Sequence, residues 1–199
     1  MPPSDPQRDA DYLGRLRDYY AETLRIPSFH RIAELMGFAS RTAAKRLLDR
    51  LEAAGFVTRT PDDDAWMPTS RFFERPLADF PVRAGAPDMI EGTHGQLFLV
   101  DQYLVRQPSR TIMVPVNGDS MIDAGIHDGD IVVVERVKVA KGGDFVVAIV
   151  DNEFTLKELG TEKGQFILKP RNPAFPVIRP KGQLEIFGVV TGLVRRYVP

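Results

Sequence analysis

Cysteine is absent from the 199 residues, which excludes a disulfide framework, a thiolate metal site and a cysteine nucleophile. The histidines His30, His94 and His127 stand far apart in the sequence, so no metal and no cofactor is expected. No apolar run of about 18 residues occurs, so no membrane-spanning helix is expected. The opening stretch, Met1 to Asp11, is polar and lacks the apolar segment of a signal peptide. A strong charge of either sign is missing too: 26 Lys and Arg against 27 Asp and Glu leave −1 at pH 7. Bulk positive charge therefore cannot drive nucleic-acid binding, which would need a local patch. At 43% hydrophobic and 27% charged, the chain can still bury a core. A cytoplasmic protein with no membrane partner is expected.

The first third reads as helical. Tyr12, Leu13, Leu16, Tyr19, Tyr20, Thr23 and Leu24 recur at three- and four-residue steps, predicting an amphipathic helix over 10–26 that Pro27 stops. Ser28 can cap a second helix, Phe29 to Met36, burying Ile32, Ala33, Leu35 and Met36 and ending at Gly37. Ser40 can cap a third, Arg41 to Ala54, with Ala44, Leu47, Leu48 and Leu51 as its apolar stripe and Gly55 at its end. Phe56–Thr60 and Ala65–Pro68 flank Pro61-Asp62-Asp63-Asp64 as a short hairpin. Three helices with a tight second turn, then a hairpin, predict a winged helix-turn-helix over 1–74.

Residues 70 to 92 change character, with Pro76, Pro81, Pro87, Gly85 and Gly92 predicting an extended connector, its linker assigned to 75–94. Strand-like runs then follow: Gln96–Val100, Thr111–Val116, Asp130–Val134, Asp144–Val150, Glu153–Leu159, Gln165–Lys169 and Ile186–Val194. Turn residues separate them, so 95–199 is expected to be an all-β domain, and the chain an α+β two-domain protein.

Two features suggest chemistry. On the third helix, the side away from the leucines carries Arg41, Thr42, Lys45, Arg46, Asp49 and Arg50, behind Ser40. Between Ser28 and Arg50 five basic residues face two acids, Glu34 and Asp49. This is either a DNA-reading face, since arginine reads guanine, or an ordinary solvated helix face. The acidic Asp62-Asp63-Asp64 turn would repel phosphates. In the second half, Ser120 follows a strand and the Gly118 turn, where backbone N–H groups can receive an oxyanion. Lys157 lies on a later strand. If buried, its ammonium is disfavoured, and a neutral amine could take the proton of Ser120. Taken singly, turn serines are frequent and a strand lysine usually points to water, so composition and period alone favour the ordinary reading of each.

Val116-Asn117-Gly118-Asp119-Ser120-Met121, followed by Gly125-Ile126-His127-Asp128-Gly129-Asp130, resembles the nucleophile motif of the LexA family of self-cleaving repressors. Phe154-Thr155-Leu156-Lys157 is similar to that family's lysine strand, and Val82-Arg83-Ala84-Gly85 to its cleavage segment. Lys169-Pro170-Arg171-Asn172-Pro173, Gly188-Val189-Val190 and the helical segments 32–38 and 40–44 extend the resemblance over nearly the whole chain. It implies a C-terminal domain of the LexA and signal-peptidase type. It also implies Ser120 as nucleophile, Lys157 as base, Ala84-Gly85 as the scissile pair, and the Ser120 and Met121 backbone N–H groups as oxyanion donors. The implied function is a dimeric repressor of the DNA-damage (SOS) response. It would bind double-stranded operator DNA and be inactivated by self-cleavage that the RecA filament on single-stranded DNA stimulates.

Departures accompany the likeness. The family's usual recognition helix is acidic where Lys45 and Arg46 stand, and Arg83 replaces the usual small residue, which bears on loop docking or cutting rate. The alternatives weighed are a non-proteolytic dimeric repressor whose C-terminal domain senses or dimerises, a UmuD-type translesion component, and a leader-peptide peptidase. The helical N-terminal region disfavours the second, and the missing anchor disfavours the third. The segment Glu185–Tyr197 reads equally as a dimer interface or as an internal strand.

Overall fold

The computed structural model describes residues 6–78, 96–136 and 139–197. Contacts divide the chain into two units, Met1–Val100 and Asp101–Pro199.

In the first unit, α1 (Pro6–Thr23), α2 (Phe29–Met36) and α3 (Arg41–Ala53) are followed by a hairpin of β1 (Val57–Arg59) and β2 (Trp66–Pro68). Local chemistry sets the helix ends. Ser28 accepts from the Arg31 N–H, and Gly37 closes α2 in the left-handed conformation at φ 71°. Ser40 likewise accepts from the Ala43 N–H at the start of α3. The three helices converge on Leu16, Ile32, Ala44, Leu47 and Leu48, all fully buried, with Met36, Leu51 and Val57 beside them. Each large aliphatic side chain so buried contributes about 1.5–3 kcal/mol relative to exposure.

The outcome differs from the sequence expectation at several places, Leu35 among them, which is only partly buried. The first helix ends at Thr23, and Leu24 takes a positive φ of 55° and stands 75% exposed, so it leaves the apolar stripe. Ser70–Phe73 forms a 3-10 turn rather than extended connector, because Phe72 fills the helical core at 1% exposure against the Tyr20 and Phe73 rings. Arg17 fastens that turn by donating from Nε to the Phe72 carbonyl at 2.6 Å. Just beyond it, β3 (Arg75–Pro76), inside the stretch assigned to the linker, pairs with β4 (Leu97–Phe98).

In the second unit, α4 (Val100–Leu104) occupies residues expected partly as strand. Its Leu104 lies against Gly192, where a Cβ would meet the leucine at 3.1 Å. The sheet comprises β5 (Thr111–Pro115), β6 (Ile131–Glu135), β7 (Phe145–Val150), β8 (Glu153–Glu162), β9 (Gln165–Lys169) and β10 (Leu184–Val194). Its order among the described residues is β5-β6-β10-β7-β8-β9, antiparallel throughout. The segment expected as either interface or internal strand pairs with β7 over Leu184–Val189 and with β6 over Val189–Val194, so each half has one strand neighbour among the described residues. Val132, Val134, Val147, Met121 and Ile126 form one core cluster, and Val146, Ala148, Leu159 and Leu168 another. Near the middle of β10, Gly188 sits where the register against β7 shifts; a Cβ there would lie 2.7 Å from Val134 Cγ1 and 2.8 Å from the Glu135 carbonyl oxygen.

Candidate active site

The loop after β5 carries Ser120. It leaves the strand at Pro115, and the Val116 N–H is tied to the Asp130 carbonyl at 2.8 Å. Gly118 makes the turn at φ 89°, which side-chain-bearing residues rarely adopt, while its N–H donates to Asp128 Oδ1 at 2.7 Å. Met121 is buried beneath the serine at 1% exposure and anchors the loop in the core. Among the described residues, the Ser120 and Met121 backbone N–H groups meet no acceptor, as donors held ready for an oxyanion would.

Lys157 reaches the same point from β8, whose pairing with β7 sets it opposite Val146. Its Nζ is 2.8 Å from Ser120 Oγ, 3.1 Å from Thr155 Oγ1 and 2.9 Å from the Leu156 carbonyl oxygen. Thr155 shares the contact because residues two apart on a strand project to one side. Lys157 is 7% exposed, and its burial pushes the ammonium below its ordinary value. All three are acceptors within reach of the Nζ hydrogens, and loss of one proton would leave a lone pair to face the serine O–H. The two groups line a cleft of about 240 Å³ whose walls include Val114, Val116, Met121, Phe154 and Leu156.

A second anchor stands behind the loop. Asp130, 2% exposed, accepts from Arg195 Nε and Nη2, both at 2.6 Å, and from the His127 N–H at 2.7 Å. These bonds, the Arg195 guanidinium foremost, hold its carboxyl down at about 2. The Asp130–Arg195 pair spans 65 positions and had no local signal in the sequence. Arg171 lies in the Lys169–Pro173 motif, but nothing local to it pointed to its contact with the nucleophile loop, where its N–H donates to the Ser120 carbonyl at 2.8 Å. Ala84 and Gly85, the expected scissile pair, lie outside the described residues.

On α3, Arg41, Thr42, Lys45 and Arg46 are at the surface, with Ser40 at the N-cap. Lys45 pairs with Asp49 at 2.9 Å. Arg50, also in the expected DNA-facing set, is held within the fold: Nε and Nη2 each donate to Asp9 at 2.7 Å, which ties α3 to α1. In the hairpin, Arg59 pairs with Asp64 and stacks on Trp66 at 4.3 Å, so part of the turn's acidity is answered within the hairpin. Among the described residues, no helix is long and apolar enough to cross a membrane.

The site and sheet define a peptidase domain of the serine type, and residues 76–191 match the family described as Peptidase S24-like. Similarity to known proteins runs well beyond that domain. The chain is 38% identical over 191 residues to the LexA repressor 2 of Pseudomonas putida, covering 91% of this chain and 93% of that protein. It is 38% identical over 191 residues to the LexA repressor of Opitutus terrae, covering 92% and 94%. With the LexA repressor of Alcanivorax borkumensis it shares 35% over 198 residues, covering 94% of each. The chain belongs to the LexA repressor family.

Proposed function

We propose that this protein is a dimeric, sequence-specific repressor of the DNA-damage (SOS) response that inactivates itself by cutting its own chain between Ala84 and Gly85. The observation that carries the reading is the 2.8 Å approach of a buried lysine amine to the Ser120 hydroxyl, with no carboxylate paired to that lysine among the described residues. Neutral Lys157 takes the hydroxyl proton as Ser120 Oγ attacks the Ala84 carbonyl carbon. The resulting oxyanion is received by the N–H groups of Ser120 and Met121. The Lys157 ammonium then returns the proton to the departing Gly85 nitrogen, leaving Ala84 as an ester on Ser120. Water, deprotonated by the same lysine, releases that ester and restores the serine. Because the scissile bond is tethered to the site, effective molarity replaces substrate affinity. Control therefore rests on the population of chains with the segment docked, the equilibrium that a RecA filament on single-stranded DNA would bias.

The N-terminal unit supplies the DNA-binding part. Helices α2 and α3 with the following hairpin make a winged helix-turn-helix in this reading, with Ser40, Arg41, Thr42, Lys45 and Arg46 toward operator DNA. Arg41 and Arg46 are the candidates for base edges, and Lys45 for phosphate. Cutting at 84/85 separates this unit from the C-terminal domain through which the dimer would form, and the isolated half binds paired half-sites weakly. The non-proteolytic alternative is not favoured, since a sensing domain needs neither the serine nor the buried amine.

A mobility-shift titration on the protein's own promoter tests the coupling. Alkaline incubation should abolish the shift by the unmodified chain and leave that of Ser120→Ala intact. Loss of both shifts alike would remove self-cleavage from the account.

A further inference from the structure

We propose that Arg171 and Glu158 form a positioning clamp that holds the Ser120 loop against the strand carrying Lys157. The inference rests on the self-cleavage reading and adds to it the means by which two distant segments are kept within proton-transfer distance.

The segment after β9 grips the nucleophile loop at three points. The Arg171 N–H donates to the Ser120 carbonyl at 2.8 Å, and the Arg171 carbonyl accepts from the Asp123 N–H at 2.7 Å. The loop is thus held on both sides of Met121 and Ile122. Asn172 Nδ2 adds a bond to the Asp119 carbonyl at 3.0 Å. That amide is itself oriented, because Asn172 Oδ1 accepts from the Ala174 N–H at 2.9 Å.

The side chain of Arg171 turns to the other half of the site. Nε and Nη2 both donate to Glu158 Oε2, and Glu158 is buried at 8% exposure immediately after Lys157 on β8. One residue therefore holds Ser120 with its backbone and the neighbour of Lys157 with its guanidinium. A charged, two-donor contact of this kind is directional as well as strong, so it sets the spacing of what it joins. Neither residue touches the reacting atoms; their role is to position.

The test is the pH–rate profile of self-cleavage of the full-length chain, read as its high-pH plateau and its midpoint. Arg171→Met keeps the stem of a side chain that is 51% exposed, so folding is expected to survive, and promoter binding and melting verify it. Its plateau should fall about 10- to 100-fold, the cost of a small misplacement of reacting groups. Glu158→Gln/Arg171→Met removes both charges, leaving the net charge near Lys157 unchanged; its plateau should fall as far with the midpoint unmoved. Arg171→Lys, which retains a cation for Glu158, should recover part of the rate. An unchanged plateau in the folded methionine variants, or a shifted midpoint at constant plateau in the double variant, overturns the clamp. Failure of the unmodified chain to cut at any pH, and also with active RecA filament, would instead overturn the self-cleavage reading itself.

Discussion

Replacing Lys157 by methionine tests the amine as the base while retaining the length of its buried stem. Methionine fills a similar volume and has no group to accept the Ser120 proton, and burial already disfavours the charge that it removes. Loss of a positioned general base costs about 10²–10⁴ in rate. The unmodified chain should speed up with alkalinity because only the neutral amine works. Below the folded-state pKa of Lys157, the rate should rise about tenfold per pH unit, following the neutral fraction, and then level off. Burial lowers that pKa, so the levelling should come below the range of an exposed lysine, near 10.4. Densitometry of the intact chain over time from about pH 6 to 11, without activator, gives both curves. A flat profile for the unmodified chain, or a Lys157→Met variant that cuts as fast, would refute the lysine as base.

Asp130→Asn should lower folding stability by roughly 1.5–3 kcal/mol in urea titration, since it weakens charged hydrogen bonds to Arg195 at a buried site. With its folded pKa held at about 2, Asp130 stabilises the fold above the ordinary carboxylate value near 4. That contribution should drain away as pH falls from about 4 through about 2, and the Asp130→Asn chain should lack this part of the acid transition. Arg46→Ala should weaken operator binding by about 1–3 kcal/mol at unchanged melting temperature. Arg50→Ala should instead lower stability by about 0.2–1 kcal/mol, because its partner is Asp9; a larger operator defect from Arg50 than from Arg46 would contradict that division. Gly188→Ala should cost about 1–3 kcal/mol in thermal melting, since no room exists for its Cβ beside Val134 and Glu135.

Much of this architecture was legible because it rests on short-range signals. The Ala44, Leu47, Leu48 and Leu51 stripe lies on α3 at helical spacing and all four are buried. Ser28 and Ser40 cap the helices they precede. The strand runs from Thr111 to Val194 follow alternation and turn residues closely enough that most bounds agree within a residue or two. What escaped depends on partners far along the chain. Pro76 reads as connector, yet pairing with Leu97 makes it strand. Phe72 reads as part of an irregular stretch, yet the helical core claims it. Arg50 has the right charge on the right helix for DNA, and only the folded chain brings Asp9 to it from 41 positions away. In the active site, Ser120 and Lys157 were named from motif resemblance. Their 2.8 Å approach and the grip of Arg171 depend on how β8 and β9 lie beside the loop, which no local pattern encodes.

The most direct measurement is the intact mass of the purified chain after incubation at about pH 7 and at about pH 9.5, beside Ser120→Ala. The account predicts two fragments meeting at Ala84/Gly85, more abundant at the higher pH and absent from the serine variant. A chain that stays whole under both conditions and also with active RecA filament, or one that cuts equally without Ser120, would contradict it.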